Sequence, residues 1–235
     1  MLFLLDSADV AAVARAAALH PLAGLTTNPT LLARARRPLA PLLADLRTAV
    51  GPDLPIHAQV VGADVATMCV EAERLRDRLG AAFHPKVPVT PQGLAAIRAL
   101  AARGFAPTAT AVFTPLQALL AARAGAAFVA PYVARIDASG GDGPATVGEI
   151  ARLFAIHAIE TRILAASFKS VRQILAVALA GAHSATLPPD LLDAALAHPS
   201  TDTGVAGFLA DWADAYGRDT TVADLLPDDR RLDPR

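Results

Sequence analysis

Residues 83–100 read FHPKVPVTPQGLAAIRAL. The first seven form a short apolar run of the kind that suits a buried strand of a parallel sheet. Thr90-Pro91 follows, a side-chain N-cap and then proline at the first helical position, where its missing N–H costs nothing. A helical run comes next. Strand, tight turn and helix together make the unit from which α/β folds are built.

The unit recurs on both sides. Strand candidates are FLLD (3–6), GLTTN (24–28), IHAQVV (56–61), FHPKVPV (83–89), TATAVF (108–113), FVAPYVA (128–134), RILAAS (162–167) and SATL (184–187). Thr114-Pro115 repeats the cap-then-proline start. Ser170 can cap VRQILAVALA, and Gly181 can end it. DVATMCVEAERLRDRLG (64–80) places apolar residues at helical spacing with charges on the other face. Eight strand–helix units in 235 residues predict a single (β/α)8 TIM barrel. An open doubly wound sheet is the alternative, but no GxGxxG follows the first strand. FLADWADAYGR (208–218) reads as an additional amphipathic C-terminal helix, so the barrel domain is expected over 1–218. The charged stretch 219–235, with two prolines, reads as a tail outside it.

Composition narrows the class. Hydrophobic content of 54% with a formal net charge of -1 fits a soluble globule and gives no electrostatic footprint for nucleic acid. A single cysteine, Cys69, excludes an internal disulfide framework and fits a reducing compartment. The opening MLFLLD lacks a basic region and is too short for a signal peptide, and no apolar run reaches membrane-spanning length. The expectation is a cytoplasmic protein.

In a barrel, chemistry gathers where strands end. The polar residues there are Asp6, Thr26, Asn28, Gln59, Lys86, Thr110, Tyr132, Arg135 and Ser167, with Lys169 just beyond. Most have ordinary structural readings. Asp6 or Ser7 could cap the first helix, and Asn28 before Pro29 could be turn chemistry. Gln59, Thr110 and Tyr132 could each satisfy a neighbouring group. Lys86 is different. Of 21 basic residues only Lys86 and Lys169 are lysines, leaving 21 − 2 = 19 arginines. Lysine is rarely buried unless paired; an ion pair with Asp6 is its structural reading. The chemical reading uses a property arginine lacks. Burial disfavours the ammonium, and the neutral amine can attack a ketone and form a Schiff base.

LDSADV, LAGLTTNPTLL, HAQV, KVPVTPQGLAAIRAL, TAVF, LLAARAGAAFVAPYVARIDASGGDG, LAASFKSVRQ and FLADWADAYGR together resemble the transaldolase family, most closely its fructose-6-phosphate aldolase branch. The resemblance implies a barrel with the imine-forming lysine on the fourth strand, at Lys86, and no metal or organic cofactor. It implies that Asp6 is the acid/base and that Gln59, Thr110 and Tyr132 hold a proton-shuttling water. Thr26 and Asn28 are expected on the substrate side, Asn28 holding hydroxyls, and Arg135, Ser167 and Lys169 at the substrate phosphate. In the transaldolase branch the positions resembling Gln59 and Tyr132 are usually Glu and Phe. The implied partners are small sugar phosphates and small ketones or aldehydes, and other copies of the chain in pentamers or decamers. His84-Pro85 departs from the two apolar residues usual before the lysine. Pro85 is expected to bend the strand, with His84 facing the outer layer.

The leading expectation is a class I aldolase that reversibly cleaves fructose 6-phosphate to dihydroxyacetone and glyceraldehyde 3-phosphate. A transaldolase passing the three-carbon unit to erythrose 4-phosphate is the alternative. A pyridoxal-phosphate barrel and a non-catalytic sugar-phosphate-binding barrel are the readings from other classes.

Overall fold

The structure, a computed structural model, describes residues 1–226. Eight parallel strands close in sequence order into a barrel. They are β1 (Leu2–Asp6), β2 (Leu22–Thr26), β3 (Ile56–Gln59), β4 (Phe83–Pro88), β5 (Thr108–Val112), β6 (Phe128–Pro131), β7 (Arg162–Ala165) and β8 (Ser184–Leu187). All eight expected strands are present. The helices are α1 (Val10–Leu19), α2 (Pro29–Arg34), α3 (Leu39–Val50), α4 (Val65–Leu79), α5 (Pro91–Ala102), α6 (Pro115–Arg123), α7 (Val133–Ala138), α8 (Gly143–Ile156), α9 (Val171–Leu179), α10 (Pro189–Leu196), α11 (Pro199–Tyr216) and α12 (Val222–Leu225).

The capping signals operate as read. Thr90, Thr114 and Ser170 each accept a backbone N–H from the first turn of the following helix, and proline leads α5 and α6. Gly181 lies just beyond α9 with φ +98, a conformation that costs glycine little. Strand residues alternate between two apolar environments. Leu5, Leu25, Val87, Ala109, Val129, Ile163 and Ala185 are fully buried in the main hydrophobic core. The other set points into the barrel lumen, and that set carries the polar groups.

The alternation overturns one expectation. His84 shares its face with Lys86, two residues on, so it points into the lumen and not to the outer layer. His57 on β3 stacks on it, with ring centroids 4.5 Å apart. Phe128 on β6 sets its edge against both rings, and His57 Nδ1 lies 2.8 Å from Thr108 Oγ1 on β5. Contacts between strands that are not neighbours run through the interior. The pair and Phe128 therefore form a floor beneath Lys86. Burial holds the His57 imidazole well below its usual pKa, with His84 and Lys86 adding to the effect, and burial also lowers His84.

Nor does Pro85 break β4. The strand pairs with β3 without a register shift, Phe83 to Lys86 against Ile56 to Gln59. The compensation lies in the preceding residue. Val89 N–H donates to the Thr110 carbonyl. Parallel ladders repeat every two residues on both strands, so residue 85 faces the carbonyl of Ala106. Proline has no N–H to give. His84 Nδ1 donates to that carbonyl instead, at 2.9 Å. A carbonyl only accepts, so Nδ1 carries the hydrogen.

From Leu196 onward the chain forms a second unit. Within it, α11 contains the expected FLADWADAYGR helix, ended by Gly217 at φ +97. Trp212 Nε1 donates to the Thr220 carbonyl at 2.7 Å, and the Trp212 and Tyr216 rings lie 4.6 Å apart. Part of the expected tail, Val222–Leu225, is the short helix α12; residues 227–235 lie outside the described residues. Among the described residues no helix is long and apolar enough to cross a membrane.

The His84–Pro85 compensation is testable by a double-mutant cycle. His84→Phe keeps an aromatic ring but leaves the Ala106 carbonyl without its donor, at an expected cost of about 1–3 kcal/mol. In a Pro85→Val background the restored backbone N–H takes over, and the cost should fall by about 1 kcal/mol in urea unfolding. Equal costs in both backgrounds would refute the compensation.

Candidate active site

Lys86 rises from the middle of β4 into the lumen and is 4% exposed. Its Nζ donates to the Thr27 carbonyl at 3.0 Å. Among the described residues it makes no ion pair with Asp6; the ion pairs lie elsewhere, on the surface. Burial lowers the Lys86 pKa, and the Asp6 charge opposes that shift. Burial raises the Asp6 carboxyl, against the opposing influence of Lys86 and Thr26. Both groups are thus moved toward their neutral forms for one reason, the removal of water.

Asp6 does not cap the first helix. Asp9 does, accepting from Ala11 and Ala12 N–H, while Ser7 Oγ accepts from Asp9 N–H. The Asp6 carboxylate instead ends a chain of hydroxyls. Thr26 Oγ1 donates to Asp6 Oδ1 at 2.7 Å, and lies 2.7 Å from Thr186 Oγ1. Since Thr26 spends its hydrogen on the carboxylate, Thr186 donates to Thr26.

Across the lumen the Tyr132 hydroxyl and Thr110 Oγ1 lie 2.9 Å apart. A register shift in β5 between Ala109 and Val112, with Ala111 at φ +57, breaks the simple alternation just after Thr110. Phe113 then sets its ring against that of Tyr132, 5.7 Å between centroids, and the Arg135 guanidinium lies 4.8 Å from the Tyr132 centroid on the ring face. Gln59 is the register partner of Lys86. It has no hydrogen bond to Thr110 or Tyr132 and also borders a groove of about 880 Å³ between α3 and α4.

Asn28 Oδ1 accepts from Leu31 N–H and caps α2. That bond fixes the orientation of the amide, so its NH₂ end remains a donor. Arg135 lies on α7. Ser167 and Lys169 lie on the loop between β7 and α9, with Ser167 at φ +62. Two backbone bonds hold these segments together: Val133 N–H to the Ala166 carbonyl, and Ala134 N–H to the Ser167 carbonyl, 2.9 and 2.7 Å. The start of α9 is partly spent on its own caps. Gln173 N–H bonds Ser170 Oγ, and Lys169 N–H bonds Gln173 Oε1.

The sequence-derived residues therefore gather on one end of the barrel, in three groups: Lys86 with Asp6 and Thr26, Thr110 with Tyr132, and Arg135 with Ser167 and Lys169. Gln59 and Asn28 stand at that end without side-chain bonds to these groups. Sequence reasoning missed Thr186, although its even spacing from Ser184 places it on the lumen face of SATL. It also missed the Thr27 carbonyl, a backbone group that leaves no signal in residue type.

A buried lysine on the fourth strand of a barrel, with a carboxyl and a hydroxyl pair around it, defines a barrel enzyme of the aldolase/transaldolase type. The family model described as Transaldolase/Fructose-6-phosphate aldolase matches residues 3–223, and the chain belongs to that family. Among solved structures, the 3,6-anhydro-D-galactonate cycloisomerase from Zobellia galactanivorans is similar at 14% identity, with a TM-score of 0.56 over 80% of this chain and 53% of that one. The chain thus spans about half the length of that protein, and the likeness is one of fold alone.

Burial is the largest influence on the Asp6 carboxyl; Thr26 opposes it, as Lys86 does. The Thr26 hydroxyl favours the carboxylate, so Thr26→Val should raise the Asp6 pKa further. Carboxyl NMR titration should show the transition at higher pH than in the wild type; an unchanged or lower transition would refute this role.

Proposed function

We propose that this protein is a class I aldolase that reversibly cleaves fructose 6-phosphate to dihydroxyacetone and glyceraldehyde 3-phosphate, with residues 1–218 as its catalytic domain. The observation that carries this reading is Lys86, buried in the lumen and bonded to a carbonyl in place of a carboxylate. An amine whose ammonium form is disfavoured can act as a nucleophile near neutral pH.

In this reading the residues act in turn. The Lys86 amine adds to the ketone carbon; Asp6 gives up its proton as water leaves, and a protonated imine forms beside the Asp6 carboxylate. Asp6 takes the proton of the hydroxyl on C4 as the C3–C4 bond breaks, and the electrons of that bond pass to the imine nitrogen. Glyceraldehyde 3-phosphate leaves, its phosphate held by Arg135, Ser167 and Lys169. A carboxyl whose pKa is raised by burial is better matched to taking and returning that proton. The remaining enamine takes a proton at C3 from a water held by Tyr132, Thr110 and Gln59. Hydrolysis of the imine then frees dihydroxyacetone and Lys86. Asn28 and Thr26 serve the bound hydroxyls and the Asp6 carboxyl.

A second reading, transaldolase, is favoured by one observation: Gln59 makes no bond to the Thr110–Tyr132 pair, so the water site is not closed by protein contacts alone. If protonation is slow, the enamine waits for erythrose 4-phosphate. Incubation with fructose 6-phosphate, with and without that acceptor, separates the two. Wild type should release free dihydroxyacetone without acceptor, and borohydride should trap a three-carbon adduct on Lys86. Tyr132→Phe should lower release about tenfold, or about 1.4 kcal/mol, and lower transfer less. No release without acceptor would give the transaldolase; no adduct on Lys86 would end both readings and leave a binding barrel.

The chain is also proposed to form rings of five, or decamers. Val205, Phe208, Leu209, Trp212 and Tyr216 recur along α11 at helical spacing and supply an apolar stripe suited to association. Light scattering should give five or ten times the 24.2 kDa chain mass; a stable monomer at micromolar concentration would count against assembly.

A further inference from the structure

The RIDASGGDG stretch (135–143) contains a carboxylate to which the proposed reaction gives no role. Asp137 lies two residues beyond Arg135 on α7 and spends both oxygens on other segments. Its Oδ1 accepts from Gly143 N–H, at the start of α8, at 2.6 Å. Its Oδ2 accepts from Gln173 Nε2, on α9, at 2.6 Å. The other end of the same Gln173 amide accepts from Lys169 N–H at 2.8 Å. One unbroken line of hydrogen bonds thus runs from α8 through α7 and α9 into the loop that carries Lys169.

Gly143 fits this line closely. A Cβ there would come within 2.5 Å of the Val133 carbonyl and 2.8 Å of the Val133 side chain. The α8 start is therefore pressed against the beginning of α7, beside Arg135. On the far side, Ala134 N–H holds the Ser167 carbonyl. The direction of each bond is fixed. Gln173 has to present its oxygen to Lys169 and its NH₂ to position 137, so position 137 has to accept twice.

We propose that Asp137, acting through Gln173, is the positioning residue that sets the spacing between Arg135 on α7 and Lys169 on the β7–α9 loop, and so tunes the barrel for a phosphate monoester. The inference rests on the reading of Arg135, Ser167 and Lys169 as the phosphate site. Asp137 touches no substrate in this scheme. It joins the two segments that supply the cations, which lie on different strand–helix units and have no side-chain bond to each other among the described residues. Charge-assisted bonds to a carboxylate are among the stronger hydrogen bonds, which suits a strut at a partly exposed rim.

The fixed bond directions supply the test. In Asp137→Asn the new NH₂ meets the Gln173 NH₂, donor against donor. In Gln173→Glu two carboxylates meet. In the double variant the pattern is complete again with the bond reversed. The introduced asparagine NH₂ donates to the introduced glutamate, which still accepts from Lys169 N–H, while the asparagine oxygen still accepts from Gly143 N–H. Net charge equals that of the wild type. Each single variant should raise KM for glyceraldehyde 3-phosphate about tenfold, leave KM for unphosphorylated glyceraldehyde within about twofold, and weaken calorimetric binding of inorganic phosphate. The double variant should recover both.

Losses shared equally by phosphorylated and unphosphorylated substrates would make Asp137 a general structural residue and overturn the proposal. So would unchanged phosphate binding in the single variants, or failure of a folded double variant to recover. If the wild type binds phosphate with this pattern of loss and rescue but cleaves no fructose 6-phosphate, the strut stands and the aldolase reading falls. If the wild type cleaves the sugar and the single variants match it, the reverse holds.

Discussion

An amine removed from water without a carboxylate against it is the constraint around which the rest of the structure is arranged. Lys86 donates to a backbone carbonyl, which relieves the desolvation of the group without adding a full opposing charge. A direct ion pair would have favoured the ammonium and opposed the lowering of the Lys86 pKa that burial brings. Asp6 is near enough to influence Lys86 electrostatically, yet its oxygen is engaged by Thr26. The Thr186–Thr26–Asp6 chain therefore keeps the Asp6 carboxylate turned to its hydroxyl neighbours.

The barrel itself was legible because its signals are local and repeated. Threonine-proline starts, a glycine after α9 and eight short apolar runs each need only nearby residues to act. The candidate site was legible for a different reason. Polar residues at strand ends lie at one end of a barrel whatever their separation along the chain, so topology alone brings Asp6, Lys86 and Tyr132 to the same region. The roles proposed for them come from family resemblance, and the geometry leaves Gln59 apart from the hydroxyl pair it was expected to join.

What was not legible has physical causes too. His84 was expected to face the outer layer; the uninterrupted register and period-two alternation put it inside. The exchange of a missing Pro85 N–H for a histidine N–H depends on the Ala106 carbonyl, 22 residues from His84 in sequence. The Asp137–Gln173 bond spans 36 residues. Neither has a local pattern, and both depend on the direction of hydrogen bonds, which residue type alone does not specify.

The stacked His57–His84 pair and Phe128 make the barrel a vessel open at one end. With His57 and Thr108 sealed from solvent, whatever reaches the Lys86 amine comes from the opposite end of the barrel. In the proposed reaction water and aldehyde would then enter by the same mouth and compete for one location beside Lys86. A plugged floor would thus turn the choice between hydrolysis and transfer into a contest of occupancy at that mouth.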